Sequence, residues 1–113
     1  NREQVAVNFA REYNVYVVLK GHNTVVASPN GDVFVNTTGN AGMATGGSGD
    51  VLAGMISSLL AQNPKKPLEC TCAGVYLHGM AGDIAKVKFG EISMLPTDLI
   101  NCIPKAFLNL QNS

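Results

Sequence analysis

The residues best suited to chemistry lie in one glycine-rich segment that ends where a helical pattern begins, near residue 51. Four consecutive small residues carry the backbone amides of interest: Gly46, Gly47, Ser48 and Gly49. Free amides at the start of a helix, with the helix dipole behind them, bind anions such as phosphate. The segment lacks the lysine of a GxxxxGK[ST] phosphate loop, and Leu52 stands where a GxGxxG motif needs its last glycine. The sequence therefore predicts an anion hole of another kind.

Asp50 directly follows this anion hole. A carboxylate there would repel a bound phosphate, so charge neutralisation cannot be its purpose. A general base fits better: it would take the proton of a hydroxyl that attacks a phosphoryl group, while the loop amides stabilise the developing charge. The alternative is that Asp50 is only a helix N-cap and the glycines form a tight turn. The residues alone leave both interpretations open.

Lys20 follows an apolar run at residues 15–19 that is typical of a buried strand. It is either a solvated charge at the strand end or a nucleotide contact, because ligands of open α/β sheets gather at the carboxyl edge. His22 lies in the same loop, where the backbone could bind a ligand whatever side chain is present. His78 lies in a helical pattern, and we interpret it as a packing histidine. Asp83 is interpreted as a cap or a solvated charge.

The elements that must position these residues alternate between helix and strand. The polar and apolar pattern predicts a helix at residues 2–13, with Val5, Phe9 and Tyr13 on its apolar face. After the strand at 15–19, runs at 24–28 and 33–36 flank a turn-forming stretch and predict a hairpin. Because the first strand is of the parallel, doubly covered type, the expected sheet is mixed.

Three further helices are predicted, at residues 51–62, 68–87 and 96–110. Pro104 falls inside the last of them and predicts a kink or a fresh start there. The fold class is therefore α/β. The strand at 15–19 has too few neighbours to cover both of its edges, so we expect this chain to be the carboxyl-terminal part of a larger α/β domain, or to pair with another chain.

Composition excludes several classes of function. The 113 residues suit a single domain, are 46% hydrophobic and 14% charged, and carry a formal net charge of zero. Such a chain has no field with which to capture nucleic acid or an anionic membrane surface. Its three cysteines, Cys70, Cys72 and Cys102, are odd in number and lack CxxC spacing, so they are interpreted as core thiols of a protein in a reducing, cytoplasmic compartment.

Four motifs together resemble one family. They are NTTGNAGMATGGSGDVLAG at 36–54, VVLKGHNT at 17–24, YLHGMAGD at 76–83 and TDLI at 97–100. They closely resemble the ADP-dependent (S)-NAD(P)H-hydrate dehydratases of the ribokinase-like superfamily, which are related to carbohydrate kinases. The resemblance spans almost the whole chain but covers only the carboxyl-terminal portion of the family's domain. It implies that residues 1–113 are part of a single three-layer α/β/α domain.

The resemblance also implies a reaction. ADP would phosphorylate the ring hydroxyl of NADH hydrate or NADPH hydrate, phosphate would leave, and NAD(P)H and AMP would result, with Mg²⁺ assisting. Asp50 would be the base and a substrate contact, and Gly49 would contact AMP. The adenine nucleotide site would consist of Lys20, Gly21, His22, Asn23 and Thr24. The resemblance further implies a homo-oligomer, and this chain alone is expected to have little or no activity.

Two other classes of function are compatible with the same loop. One is a ribokinase-like kinase for a small alcohol, such as a vitamin precursor or a sugar, although the pyrimidine and thiazole kinases often have Cys where Asp50 stands. The other is a non-catalytic nucleotide-binding module. An Asp50→Asn variant separates the two enzymes from the binding module. It should abolish turnover but spare nucleotide binding in the dehydratase and in the kinase, whereas loss of binding with turnover never detectable would favour the module.

Overall fold

The computed structural model describes residues 1–44 and 46–111. Its helices and strands, in chain order, are α1 (Arg2–Tyr13), β1 (Val17–Leu19), β2 (Val25–Ala27), β3 (Val33–Val35), a short 3₁₀ turn (Ala41–Met43), α2 (Ser48–Gln62), α3 (Pro67–Phe89) and α4 (Pro96–Gln111). The helix and hairpin predictions therefore agree with the structure to within about two residues at most boundaries, a normal margin for helix ends. Within the described residues, no helix is long and apolar enough to cross a membrane.

The sheet has the order β1-β2-β3, and both of its pairings are antiparallel. Val26 in the central strand pairs with Val18 on one side and Phe34 on the other, and β2 is fully buried. The expected mixed sheet with a doubly covered first strand is therefore wrong for the described residues, where β1 is only half-buried. The reason is that short connections join these strands, whereas a parallel pair needs a long crossover.

Helix α1 is capped at its start by Asn1, whose side chain accepts hydrogen bonds from the amides of Glu3 and Gln4. It is capped at its end by Asn14, which adopts the left-handed conformation. These caps explain why the helix coincides with the predicted range. Asn14 has a φ of 53° and turns the chain directly towards β1.

The buried face of α1 is not the predicted one. Ala6 and Ala10 are almost fully buried against the sheet, together with Val7. Phe9 and Tyr13 are more than half exposed, and their rings pair with each other at a centroid distance of 4.5 Å. The small alanine side chains allow the helix axis to approach β1 and β2 closely, which large aromatic side chains would prevent.

The main core lies between α3 and α4. It consists of Leu77, Ala81, Ala85, Met94, Leu99, Cys102 and Ala106. Helix α4 continues through Pro104, so the chain makes no fresh start there, and the kink that was the other expectation stays a prediction. Proline removes the hydrogen bond to the carbonyl four residues earlier. Both Pro104 and Ile100 are exposed, so water can replace that bond.

The cysteines are free and lie in helices α3 and α4. Cys70 and Cys102 are buried, and the Cys70 thiol donates to the carbonyl oxygens of Leu59 and Asn63 at the end of α2. Burial, and then the nearby charge of Glu69, raise the pKa of the half-buried Cys72 thiol. The predicted role as core thiols is therefore confirmed for Cys70 and Cys102, whereas Cys72 packs half-buried against a core cluster.

Candidate functional site

A cavity of about 590 Å³ opens between the β1–β2 loop, the chain that follows β3, the start of α2 and the middle of α3. All five residues of the predicted nucleotide site line it: Lys20, Gly21, His22, Asn23 and Thr24. Ser48, from the predicted anion hole, lines the same cavity. The fold therefore brings together two segments that are separated by more than twenty residues in the chain.

The glycine loop forms the entrance to α2. Gly47 is the N-cap residue of the helix and adopts a left-handed conformation with a φ of 95°, which favours glycine. It has no side chain with which to cap the first-turn amides. Asp50 lies within the first turn of α2, so its interpretation as the N-cap is wrong. The amides that a capping side chain would normally occupy are available to an anion.

Lys20 approaches the same helix start from the β1–β2 loop. A Cβ atom added to Gly49 would lie 2.8 Å from the Nζ atom of Lys20. The absence of a side chain at Gly49 therefore allows the ammonium group to lie against the first turn of α2. Because this positive charge adds to the positive end of the helix dipole, the two together favour an anionic ligand.

Asp50 faces a different space. Its side chain is exposed and lines a second, mostly apolar groove of about 430 Å³. The other residues that line this groove come from α2 and α4: Val51, Gly54, Met55, Ser58, Leu59, Gln62, Ile100, Ile103 and Phe107. The start of α2 thus has Ser48 on the side of the larger cavity and Asp50 on the side of the groove.

His78 holds the first residue of α2 in place. Its Nε2 atom lies 3.0 Å from the carbonyl oxygen of Ser48 and 3.4 Å from the Ser48 hydroxyl oxygen. Because a carbonyl only accepts, Nε2 carries the proton and donates it to Ser48. Burial lowers the pKa of His78; the bond to Ser48 partly opposes this, and the charge of Lys20 lowers it further. His78 is therefore neutral at pH 7 and packs as predicted, with a positioning contact in addition.

Helix α3 also positions the chain that leaves β3. The Asp83 carboxylate accepts hydrogen bonds from the backbone amide of Gly39, at 3.0 Å, and from the side chain of Asn40, at 2.9 Å. The Thr38 hydroxyl donates to the carbonyl oxygen of Tyr76 at 2.9 Å. Gly79 makes this approach possible, because a Cβ atom there would overlap the Thr38 side chain. The chain that follows β3 and the middle of α3 both line the larger cavity. The sequence analysis missed this role of Asp83, which it interpreted only as a cap or a solvated charge.

The sequence did indicate that the chain following β3, at residues 36–40, forms hydrogen bonds of its own. Asn36, Thr38 and Asn40 alternate just after a strand, and such short polar side chains commonly bond to nearby backbone. Asn36 is buried, and its side-chain amide donates to the carbonyl oxygen and the hydroxyl of Thr38. Nothing local identified the partners on α3, because they lie about forty residues further along the chain.

No group of three or more His, Cys, Asp and Glu side chains is arranged to hold a metal ion within residues 1–44 and 46–111. Magnesium in phosphate-transferring sites is commonly held by one or two carboxylates and the phosphates themselves.

The three-stranded sheet, the four helices and the glycine-loop start of α2 beside a cavity define an α/β arrangement with a candidate anion-binding site. A family model described as NAD(P)H-hydrate dehydratase matches residues 1–105. The chain therefore belongs to the NAD(P)H-hydrate dehydratase family.

Relatives with known names agree with this assignment. The bifunctional NAD(P)H-hydrate repair enzyme Nnr of Moorella thermoacetica is 45% identical over 111 residues, which are 98% of this chain and 21% of that protein. The ADP-dependent (S)-NAD(P)H-hydrate dehydratase of Neisseria meningitidis is 55% identical over 78 residues, or 69% of this chain and 26% of that protein. The chain thus spans about a fifth to a quarter of these two relatives.

A solved structure confirms the predicted α/β dehydratase fold. The ADP/ATP-dependent NAD(P)H-hydrate dehydratase of Bacillus subtilis, co-crystallised with ATP and Mg²⁺, superimposes with a TM-score of 0.91 at 33% identity. The match covers 96% of this chain and 39% of that one. The arrangement of helices and strands described above is therefore that of part of a dehydratase domain.

Proposed function

We propose that the protein containing this chain removes water from (S)-NAD(P)H hydrate in an ADP-dependent reaction, and so restores NADH or NADPH. The observation that carries the proposal is the approach of the Lys20 ammonium group to Gly49, at the start of α2, beside a cavity lined by the loop at residues 20–24. This arrangement suits the phosphates of an adenine nucleotide. Relatives named as ADP-dependent dehydratases support the choice of reaction.

In the proposed reaction, the ring hydroxyl attacks the terminal phosphoryl group of ADP, and Asp50 takes the hydroxyl proton. The new oxygen–phosphorus bond forms as the bond to AMP breaks, and AMP leaves. The carbon–oxygen bond then breaks, phosphate departs with its electron pair, and a proton leaves the neighbouring ring carbon to restore the double bond. Magnesium, when bound, would offset the negative charge of the phosphates.

Each group of residues has a distinct task in this scheme. Lys20 and the loop at residues 20–24 bind the nucleotide, and the amides of Gly46, Gly47, Ser48 and Gly49 stabilise the charge on the transferred phosphoryl group. Asp50 contacts the substrate from the groove side of α2. The nucleotide and the hydrate would thus meet across the first turn of this helix.

Replacing Asp50 with Asn in the intact protein tests the proposal. Production of reduced nicotinamide, followed by absorbance, should be lost, while calorimetric titration should show unchanged ADP binding. Lys20→Ala should weaken ADP binding instead. Full activity of the Asp50→Asn variant would contradict the proposed base, and failure of the unmodified protein to bind ADP would contradict the proposed nucleotide site.

The products separate this function from its alternatives. A small-alcohol kinase would release a stable phosphorylated alcohol, whereas the dehydratase releases AMP together with inorganic phosphate. A nucleotide-binding module would show binding with no turnover. Because no specific contact favours either alternative, the dehydratase remains the proposal.

We also propose that the intact protein is a cytoplasmic homo-oligomer. Val87 and Ile92 support self-association because their apolar side chains are almost completely exposed. The free thiols of Cys70, Cys72 and Cys102 suit a reducing compartment. Light scattering of the purified intact protein measures the oligomeric state, and a monomer at micromolar concentration would contradict it.

A further inference from the structure

The guanidinium group of Arg2, in the first turn of α1, is bound to the backbone of the β1–β2 loop. Its Nη1 atom donates to the carbonyl oxygen of His22 at 2.8 Å and to that of Asn23 at 3.2 Å. Its Nη2 atom donates to the carbonyl oxygen of Leu19 at 3.1 Å and to that of Lys20 at 3.2 Å. One planar side chain therefore holds four carbonyl groups within five consecutive residues.

The conformation of the β1–β2 loop leaves room for the Arg2 guanidinium group. Gly21 has a φ of 152°, and a Cβ atom there would lie 2.8 Å from Nη2 of Arg2, so a side chain at this position would displace the guanidinium. Asn23 adopts the left-handed conformation with a φ of 57°. The Thr24 hydroxyl closes the loop through hydrogen bonds with the amide and carbonyl groups of Gly21.

The hydrogen bonds of Arg2 affect the charge that a ligand would meet at the wall of the larger cavity. Lys20, His22 and Asn23 line the larger cavity, whereas Arg2 is not among the described residues that line it. The four carbonyl oxygens are thus engaged by a group outside the cavity wall. A carbonyl oxygen turned towards a bound phosphate would repel it, so their engagement by Arg2 keeps this loop suitable for an anion.

We propose that Arg2 is a positioning residue for the adenine nucleotide: it fixes the conformation of the loop at residues 20–24, and through it the position of Lys20. This inference rests on the proposed function, because it assigns Arg2 to the nucleotide site. Arginine is required because a planar fork with donors on two terminal nitrogens spans four acceptors, whereas lysine presents its donors from a single atom.

The test uses three variants of the intact protein: Arg2→Ala, Arg2→Lys and Arg11→Ala. Arg11 is the matched control, because it lies on the same helix with its guanidinium against Gly31 in the β2–β3 turn. Calorimetric titration should show ADP binding weakened about tenfold in both Arg2 variants and unchanged in Arg11→Ala. In turnover assays, KM for ADP should rise while kcat at saturating ADP stays near its original value.

Two further measurements exclude a general loss of structure. Added guanidinium ion, below denaturing concentration, should restore ADP binding to Arg2→Ala but have no effect on Arg2→Lys. Hydrogen exchange without any nucleotide should be faster in a peptide covering residues 19–25 of Arg2→Ala than in the same peptide of Arg11→Ala.

Unchanged ADP binding in Arg2→Ala would overturn the inference, and so would equal weakening in Arg2→Ala and Arg11→Ala. If Lys20→Ala loses ADP binding while Arg2→Ala keeps it, the proposed function stands and only the role of Arg2 is wrong. If the unmodified protein fails to bind ADP, the proposed nucleotide site and the role of Arg2 in it are both wrong.

Discussion

Lys20 reaches the start of α2 only because residue 49 has no side chain. A Cβ atom at Gly49 would lie 2.8 Å from the Lys20 ammonium nitrogen, so any larger residue must push that flexible group away. The displacement costs little folding energy, since Lys20 is exposed and its long side chain can adopt another rotamer. Gly49 therefore matters for ligand binding much more than for stability.

We expect Gly49→Val to weaken ADP binding of the intact protein by about tenfold, because the variant separates Lys20 from the helix start. Isothermal titration calorimetry measures the change. Ala53→Val is the matched control, because it adds a β-branched residue at an exposed position one turn along the same helix. Equal ADP affinity of both variants would show that the Lys20–Gly49 approach does not contribute to binding.

His78 should make the stability of the protein depend on pH. Its folded-state pKa lies below its usual value near 6.5, so the unfolded chain binds a proton more readily than the folded one. The associated stability is fully present above the unfolded pKa and is lost as pH falls from there towards the lowered folded pKa. The slope cannot exceed about 1.4 kcal/mol per pH unit for one group.

Urea unfolding between about pH 7 and about pH 5 should therefore show a falling free energy of unfolding that His78→Gln largely removes. Glutamine retains an amide donor for the Ser48 carbonyl but does not titrate. His22→Gln is the control, because His22 is exposed in the β1–β2 loop. The same pH dependence in His78→Gln as in the unmodified protein would contradict this account.

At the scale of whole elements, α3 positions the site by carrying contacts to three other segments. Gly74 allows Ile56 of α2 to pack closely, Gly79 accommodates Thr38, and Gly82 accommodates Met43. Glycine in a helix interior costs roughly 1 kcal/mol relative to alanine. Close approach to neighbouring segments explains why this helix nevertheless contains so many glycines.

The Gly79→Ala variant separates these two effects. Helix propensity alone would stabilise it by roughly 1 kcal/mol, but overlap of the new Cβ atom with Thr38 should destabilise the fold by about 1–3 kcal/mol. Gly54→Ala in α2 is the control, since no atom lies within 4 Å of its added Cβ, and it should be stabilised. Chemical denaturation of both variants measures the difference, and stabilisation of Gly79→Ala would contradict the packing argument.

Local signals predicted the elements well, and nonlocal contacts explain the errors. The Asn1 and Asn14 caps and the β2–β3 turn are encoded within a few residues, so the range of α1 and the hairpin were predictable. The buried face of α1 was not, because Phe9 is more hydrophobic than Ala6 and Ala10, yet these alanines and Val7 pack against the sheet while Phe9 stays exposed. Pattern reasoning ranks side chains by hydrophobicity and does not include the space between elements.

The candidate site also has parts that the local sequence predicts and parts that depend on nonlocal contacts. Chain chemistry and resemblance to the family singled out the loop at residues 20–24 and the glycine segment at 46–49. They placed the start of α2 at residue 51, three residues later than the structure does. The hydrogen bonds of Arg2, His78 and Asp83 join residues between 17 and 44 positions apart, so no local pattern could specify their partners. Each of these three side chains acts on backbone groups, whose positions only the folded chain determines.

At the scale of the whole molecule, the two sides of α2 differ in how enclosed they are. The larger cavity is lined by several segments of this chain, whereas Asp50 is exposed beside an apolar groove. Phosphoryl transfer requires a site that excludes water around the reacting oxygen. The relatives are also much longer than this chain of 113 residues.

We therefore expect the 113-residue segment, produced alone, to bind ADP at least weakly but to restore little or no NADH from its hydrate. The intact protein should do both. An absorbance assay of reduced nicotinamide with equal molar amounts of the two proteins makes the comparison. Equal turnover by the segment would show that the Asp50 side needs no further enclosure.

The two α3 contacts that frame the cavity tolerate no change of spacing. His78 and Asp83 lie five residues apart on a single uninterrupted helix. His78 holds the start of α2, and Asp83 holds the chain that follows β3. One residue inserted between them would turn the later contact about 100° around the helix axis and move it about 1.5 Å along it. Homologues of this chain should therefore vary in length in the turn at residues 63–66, and keep a constant count of residues from 78 to 83.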